Sequence, residues 1–340
     1  MHTSSSVRLS LDLGENEKDP AEFRDCVALA DSLGFDTAWL GDHFMPWFHS
    51  SNRSAYVWPL IGASLERTNK IRVGPYVTTP IGGRYHPAIV AQACATLDNM
   101  YPGRFRVGVG TGEAMNETHF LTSWPNWQER MDRLVEGVAL MRKLWSAGSY
   151  FDFNGKYFRM KQIYLYAKPK TELKVYFSGV GVKSALYAGR TGDGLITLSA
   201  NNSYETCKNM IFPNFDRGAR EANKNPEAMK KIVSLSFTME DKNSFLKSAR
   251  QSAGILAKGS WDEPDPRRLE SMGETVTEDE LVRSTYFCSN WNDLIDIISK
   301  FHEIGTTEVS LYSGPDQGTI RMYAKKLLPH FETTNSKHDS

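Results

Sequence analysis

Strand-like and helix-like segments alternate along the whole chain, eight strands in all, which predicts an α/β fold, a parallel (β/α)8 TIM barrel. Two further observations point the same way. No GxGxxG follows the first strand, where Gly14-Glu15-Asn16-Glu17 stands, so a doubly wound dinucleotide fold is disfavoured. The 340 residues also suit a barrel, because α/β barrels run long as single domains.

Each element has its own signal. Residues 7–11 form the first strand, and Asp19-Pro20 opens a helix as N-cap and first helical residue, with Phe23, Val27, Ala30 and Leu33 on one face before Gly34. Residues 37–42 and 71–79 are the second and third strands, followed by helices over 55–66 and 86–100, the latter stopped by Pro102-Gly103. The fourth strand is 105–110. Met131, Leu134, Val138 and Met141 then make 127–145 an amphipathic helix. Next the rhythm breaks, because residues 150–158 are two short apolar runs around Asn154-Gly155, a hairpin signal. The fifth to eighth strands fall at 174–178, 194–199, 232–238 and 308–312, with helices over 182–190 and 203–222. The expected architecture is therefore one barrel domain over 1–340 with insertions after strands four and seven. The second insertion, 242–305, reads as mostly helical with a polar, Pro-bearing middle, and 333–340 reads as a loose tail.

Composition narrows the function classes. Forty basic and forty acidic residues cancel, which argues against a nucleic-acid or anionic-membrane partner. No apolar run reaches the ~20 residues of a membrane span, and the start lacks the pattern of a signal peptide. Cytoplasmic residence is the expectation. Cys26, Cys94, Cys207 and Cys288 are scattered and read as reduced, buried residues. No HxH and no His pair at i, i+4 occurs, so no metal site is expected.

In a barrel the loops after the strands share one mouth, so residues distant in sequence meet there. After strand one stand Glu15 and Glu17; after strand two, Asp42, His43 and Trp47; after strand three, Thr78 and Thr79; after strand four, Glu113, Asn116 and Glu117. Gly179-Val180-Gly181 follows strand five and opens a helix, whose free N–H groups suit an anion. Each also has an ordinary structural reading. A strand-end His is often only hydrogen-bonded, Asp42 can cap a turn or orient His43, Glu113 can stabilise the helix after it, and paired glycines are common turn chemistry.

Taken together, Asp42-His43-Phe44-x-Pro46-Trp47, Arg84-Tyr85-x-Pro87-Ala88-Ile89-Val90-Ala91-Gln92, Tyr101-Pro102-Gly103-Arg104 and Gly112-Glu113-Ala114-Met115-Asn116-Glu117 are recognisable. Over nearly its whole length the chain resembles the luciferase-like barrel superfamily, and within it the coenzyme F420-dependent dehydrogenases. That resemblance implies hydride transfer between an alcohol carbon and C5 of the deazaflavin. It makes His43 the base for the alcohol proton with Asp42 holding the ring, Glu113 a proton or hydrogen-bond source at the deazaflavin pyrimidine, and Trp47 the wall that excludes water. It places Asp42, Tyr76, Val77, Thr79, Asn116, Gly179, Val180 and Gly181 at the cofactor, with a cis peptide at Tyr76-Val77. Glu15, Glu17 and Arg283 fall to the substrate, a small alcohol or sugar, and the assembly implied is a homodimer.

Two departures matter. The group carries Glu-Gln after strand one, where Glu15-Asn16-Glu17 stands here. Its sugar-phosphate enzymes hold phosphate with two lysines and an arginine, where this chain has Asn201 or Asn202, Ser271 and Ser284. Losing charge-assisted bonds to phosphate costs about 1.5–3 kcal/mol apiece, so a neutral hydroxylated substrate is expected. The rival readings keep the fold: glucose-6-phosphate dehydrogenase proper, FMN as cofactor of a monooxygenase, reduction of methylene-tetrahydromethanopterin, or a barrel that merely carries the deazaflavin.

Overall fold

The computed structural model describes residues 7–14, 19–312, 314 and 316–331. The tail expected over 333–340 lies outside the described residues. The strands are β1 (Arg8–Asp12), β2 (Thr37–Leu40), β3 (Arg72–Pro75), β4 (Val107–Val109), β5 (Phe151–Asn154), β6 (Arg159–Ile163), β7 (Val175–Ser178), β8 (Gly194–Leu198), β9 (Lys230–Leu235), β10 (Phe237–Thr238), β11 (Tyr286–Phe287) and β12 (Glu308–Tyr312). Eight of them form one sheet in the order β3-β2-β1-β12-β9-β8-β7-β4. Every pair in it is parallel. Two parallel bridges, Val73 with Phe105 and Thr78 with Val109, join β3 to β4 and close the ring. The predicted (β/α)8 barrel is the fold.

Local signals explain most elements. The Asp19 carboxylate accepts the Ala21 N–H at 2.8 Å to start the helix Pro20–Leu33, which ends at Gly34 with φ of 97°. Asn126 caps Trp127–Ser146 by accepting the Glu129 N–H at 3.0 Å. That helix buries Met131, Leu134, Val138 and Met141, as the spacing predicts. All four cysteines are buried. Burial pushes the Cys207 thiol up to about 12 and the Cys288 thiol up to about 11, which leaves both unreactive near neutrality.

Three expectations need correction. The hairpin is present, but its turn spans 155–158 and its second strand is β6, later than the apolar run suggested. The Glu136 carboxylate accepts the N–H groups of Lys156, Tyr157 and Phe158 at 2.7–2.9 Å, so the run folds as a turn against the long helix. The third strand stops at Pro75, before a cis peptide at Tyr76-Val77. The seventh stops at Leu235, because Phe237 and Thr238 leave the barrel to pair with Tyr286 and Phe287. Between β10 and β11 lie the helices Lys242–Ala249, Pro266–Met272 and Glu278–Arg283, so the polar middle of this segment is ordered helix with its own caps. Among the described residues no helix is long and apolar enough to cross a membrane.

The barrel interior is partly ionic. Arg106 donates to Glu308 Oε2 and to Asp36 Oδ2, each at 2.9 Å, and all three side chains are buried. Glu308 Oε1 also accepts from Ser10 Oγ at 2.6 Å and Trp39 Nε1 at 3.0 Å. Burial alone would raise the Asp36 carboxyl, but Arg106 and Arg72 outweigh it and hold the group well below the usual carboxylate range. Removing one partner leaves buried charge uncompensated. Arg106→Met is therefore expected to lower stability by about 3–5 kcal/mol in urea unfolding.

Candidate active site

Because the barrel strands are parallel, the ends of β2, β3, β4 and β7 open on one mouth. The β2 loop delivers Asp42, His43 and Trp47, and the His43 and Trp47 rings lie 5.5 Å apart, tilted by 48°. Trp47 is buried against Met115 and Leu269, and it meets Trp261 edge-on at 5.6 Å. Trp261 comes from the segment between β10 and β11, which is strapped over this loop. Asp262 accepts from Trp124 Nε1 at 2.7 Å and Arg130 Nη1 at 3.2 Å, and Glu270 accepts the Ser50 N–H at 2.7 Å.

Beyond β3, the Val77 side chain leans over the top of β4. A Cβ on Gly110 would lie only 2.6 Å from Val77 Cγ2, and one on Gly108 would lie 3.2 Å from Val77 Cγ1 and 2.4 Å from the backbone oxygen of Pro75, so both positions require glycine. Val77 and Tyr76 pack on the buried cluster of Trp39, Tyr176, Ile196 and Ile232. Thr79 is buried, and a Cβ on Gly112, whose φ is 75°, would stand 2.8 Å from its Cγ2.

Glu113 and Asn116 belong to the short turn of helix Ala114–Glu117 and its N-cap. The Glu113 carboxylate does not cap that helix; its Oε2 accepts from Asn116 Nδ2 at 3.1 Å. The same Nδ2 lies 3.1 Å from His43 Nδ1, and Met45 O is 3.3 Å from that nitrogen. Asn116 thus links the histidine of one loop to the carboxylate of the next.

Asp42, expected to hold the His43 ring, feels the His43 charge and also engages two further groups. Its Oδ1 accepts from Tyr85 OH at 2.9 Å and lies 3.2 Å from Arg84 Nη1. Arg84 also donates its N–H to Glu117 Oε2 at 2.9 Å, with Nε 3.6 Å from Oε1. Two buried carboxylates therefore flank one guanidinium. Burial pushes the Glu117 carboxyl up to about 7 and raises Asp42 as well, with Arg84 opposing in both cases. Arg84 and Tyr85 stood in a recognisable motif, but nothing in the sequence told which carboxylates they meet. Trp261 was likewise missed, although a Trp inside a polar stretch was the available signal.

After β7, the Gly179 N–H donates to Ile196 O at 2.8 Å, and Val180 O accepts from Asn202 Nδ2 at 2.9 Å. Gly181 opens the helix Val182–Thr191, whose first turn carries no acidic residue. Arg283 sits exposed on the last turn of Glu278–Arg283, its Nε donating to Asp279 O at 3.1 Å. Glu15 and Glu17 lie outside the described residues. Of the positions compared with phosphate ligands, Asn202 also bonds Thr197 Oγ1 at 3.2 Å, and Ser271 and Ser284 donate to the carbonyls of Arg268 and Leu281, each at 2.8 Å.

Comparison with known proteins places this geometry. The luciferase-like monooxygenase family matches residues 1–308, and the chain belongs to it. Among curated relatives, an F420-dependent glucose-6-phosphate dehydrogenase of Segniliparus rotundus is 30% identical over 97% of this chain and 99% of its own length. The Mycolicibacterium smegmatis enzyme of the same name is 31% identical, covering 96% and 98%. Among solved structures, an F420-dependent secondary alcohol dehydrogenase in complex with an F420-acetone adduct aligns with TM-score 0.87 at 34% identity, over 95% of this chain and 98% of that one. The coenzyme F420-dependent tetrahydromethanopterin reductase of Methanopyrus kandleri, at 18% identity and TM-score 0.72, shares the fold.

The Glu117 carboxyl has a testable consequence. Its folded pKa, about 7, lies above its usual 4.5, so the folded chain holds more protons between those values. Its stabilising contribution is then full below about 4.5 and declines as pH rises through about 7. Glu117→Gln is expected to gain stability relative to the parent as pH is raised from 5 to 8, on the order of 3 kcal/mol across the window, in paired urea titrations.

Proposed function

We propose that this chain is a coenzyme F420-dependent dehydrogenase acting on the CH–OH group of an alcohol or sugar. The observation that carries the reading is the His43–Asn116–Glu113 connection beside Trp47 at the mouth of the barrel. It joins an imidazole to a carboxylate on the adjacent loop. Relatives of about 30% identity over nearly the full length carry F420-dependent dehydrogenase names.

The residues fit a flat cofactor with an anionic tail. Val77 offers an apolar ledge held in place by Gly108 and Gly110. Gly181 has its backbone open to approach, since a Cβ there would meet nothing nearer than Ser184 Oγ at 3.7 Å. Free N–H groups at the start of Val182–Thr191, with Lys183 in its first turn, suit a phosphate-bearing tail. Thr79 and Gly179 to Gly181 would hold the cofactor, whose deazaflavin C5 supplies the hydride acceptor or donor when bound. His43 takes the proton of the substrate hydroxyl in oxidation and returns it in reduction. Glu113 holds a proton or hydrogen bond at the pyrimidine edge, and Trp47 with Trp261 excludes water from the reacting atoms.

A neutral alcohol or sugar hydroxyl suits the site better than a sugar phosphate. Asn202, Ser271 and Ser284 are uncharged and have their polar groups engaged within the chain. Arg283 lies on an exposed turn, with Nε donating to Asp279 O. Cytoplasmic residence and a homodimer accompany this reading.

Fluorescence titration with oxidised F420 is expected to show quenching, followed by loss of the oxidised absorbance with secondary alcohols but not with glucose 6-phosphate. His43→Ala is expected to bind the cofactor and lose about 10²–10⁴-fold in turnover. Binding of FMN in place of F420, with oxygen uptake, would overturn the assignment.

A further inference from the structure

Asn116 spends all of its hydrogen-bonding capacity inside the chain. Its Oδ1 accepts the N–H groups of Phe44 at 2.8 Å and Met45 at 3.2 Å. Those two backbone donors fix which way the carboxamide faces, because only an oxygen can receive them. Its Nδ2 then has one hydrogen for Glu113 Oε2 and one for His43 Nδ1. A carboxamide offers two donors and two acceptor positions, so the group is complete without a ligand.

The consequence falls on His43. A nitrogen that faces an N–H donor must itself be the acceptor, and in a neutral imidazole the hydrogen is then on the other nitrogen. Met45 O, 3.3 Å from Nδ1, pulls the opposite way, since a carbonyl can only accept. The Asn116 contact is shorter at 3.1 Å and its polarity is fixed by two further bonds. Asn116 therefore wins.

We infer that Asn116 is a positioning residue, which sets neutral His43 as the tautomer with its hydrogen on Nε2 and holds Glu113 on the same amide. This rests on the dehydrogenase reading for its meaning in catalysis. The resting histidine meets the substrate oxygen as a hydrogen-bond donor, so a carbonyl, which has only lone pairs to offer, is the matched partner. To accept an alcohol proton at Nε2, His43 must first carry its hydrogen on Nδ1, against Met45 O.

The test is long-range ¹H–¹⁵N correlation on cofactor-free protein labelled with ¹⁵N-histidine at alkaline pH, with His43 assigned by its loss in His43→Gln. The parent is expected to show a protonated Nε2 and an unprotonated Nδ1. In Asn116→Asp, which presents only acceptors, and in Asn116→Ala, which removes the amide donor, the proton is expected to move to Nδ1. A parent His43 protonated on Nδ1 overturns the inference even if neither variant folds, and so does an unchanged tautomer in a folded Asn116→Asp. The readout needs neither cofactor nor turnover, so failure to bind F420 would leave it standing as a statement about His43.

Discussion

The structure depends first on one buried cation. Arg106 stands just ahead of β4, and its backbone N–H donates to Val73 O at 3.0 Å where the barrel closes. Its guanidinium crosses the interior to Asp36, just ahead of β2, and to Glu308, the first residue of β12. Closure of the ring and neutrality of its interior are thus the same constraint. An arginine there without both carboxylates would be costly, and the carboxylates without it more so.

Closure matters for function because it gathers the strand ends. Only in a closed parallel ring do the loops after β2, β3, β4 and β7 face one another. The site then draws its rigidity from different sources on each side. Val77 is wedged over glycines, Trp47 is clamped by Trp261 from the segment beyond β9, and Asn116 ties the β2 loop to the helix after β4. Each tie joins elements distant in sequence, and the Asn116 amide sets the spacing of the histidine and the carboxylate.

Beneath these residues the electrostatics run short by one positive charge. Arg84 serves both Asp42 and Glu117, each buried and each raised by desolvation. Both carboxyls are thereby pushed towards the protonated form, at positions adjacent in sequence to His43 and Asn116. The charge of the layer that supports the site therefore responds to pH as the Glu117 carboxyl titrates, at about 7.

Much of this was legible in the chain itself. Alternation of short apolar runs with 3.6-period helices determined the barrel, because burial on both faces of a parallel sheet and on one face of a helix leaves distinct spacings. The cap Asp19, followed by Pro20, determined a helix start through local hydrogen bonding. The strand-end positions of His43, Trp47 and Glu113 determined that these side chains would gather at one mouth. What local pattern cannot carry is the choice among partners. The run at 156–158 became a turn because Glu136 captured its N–H groups, and the seventh strand ended early because Phe237 found Tyr286. Asn116 read as a cofactor contact, yet its amide closes on His43, Glu113 and the β2 loop. Asp42 read as the holder of its sequence neighbour, and the fold also brings Arg84 and Tyr85 onto its carboxylate. Tertiary structure alone decided these pairings, because a polar atom bonds whatever complementary atom the fold brings within about 3 Å, and sequence distance does not enter that choice.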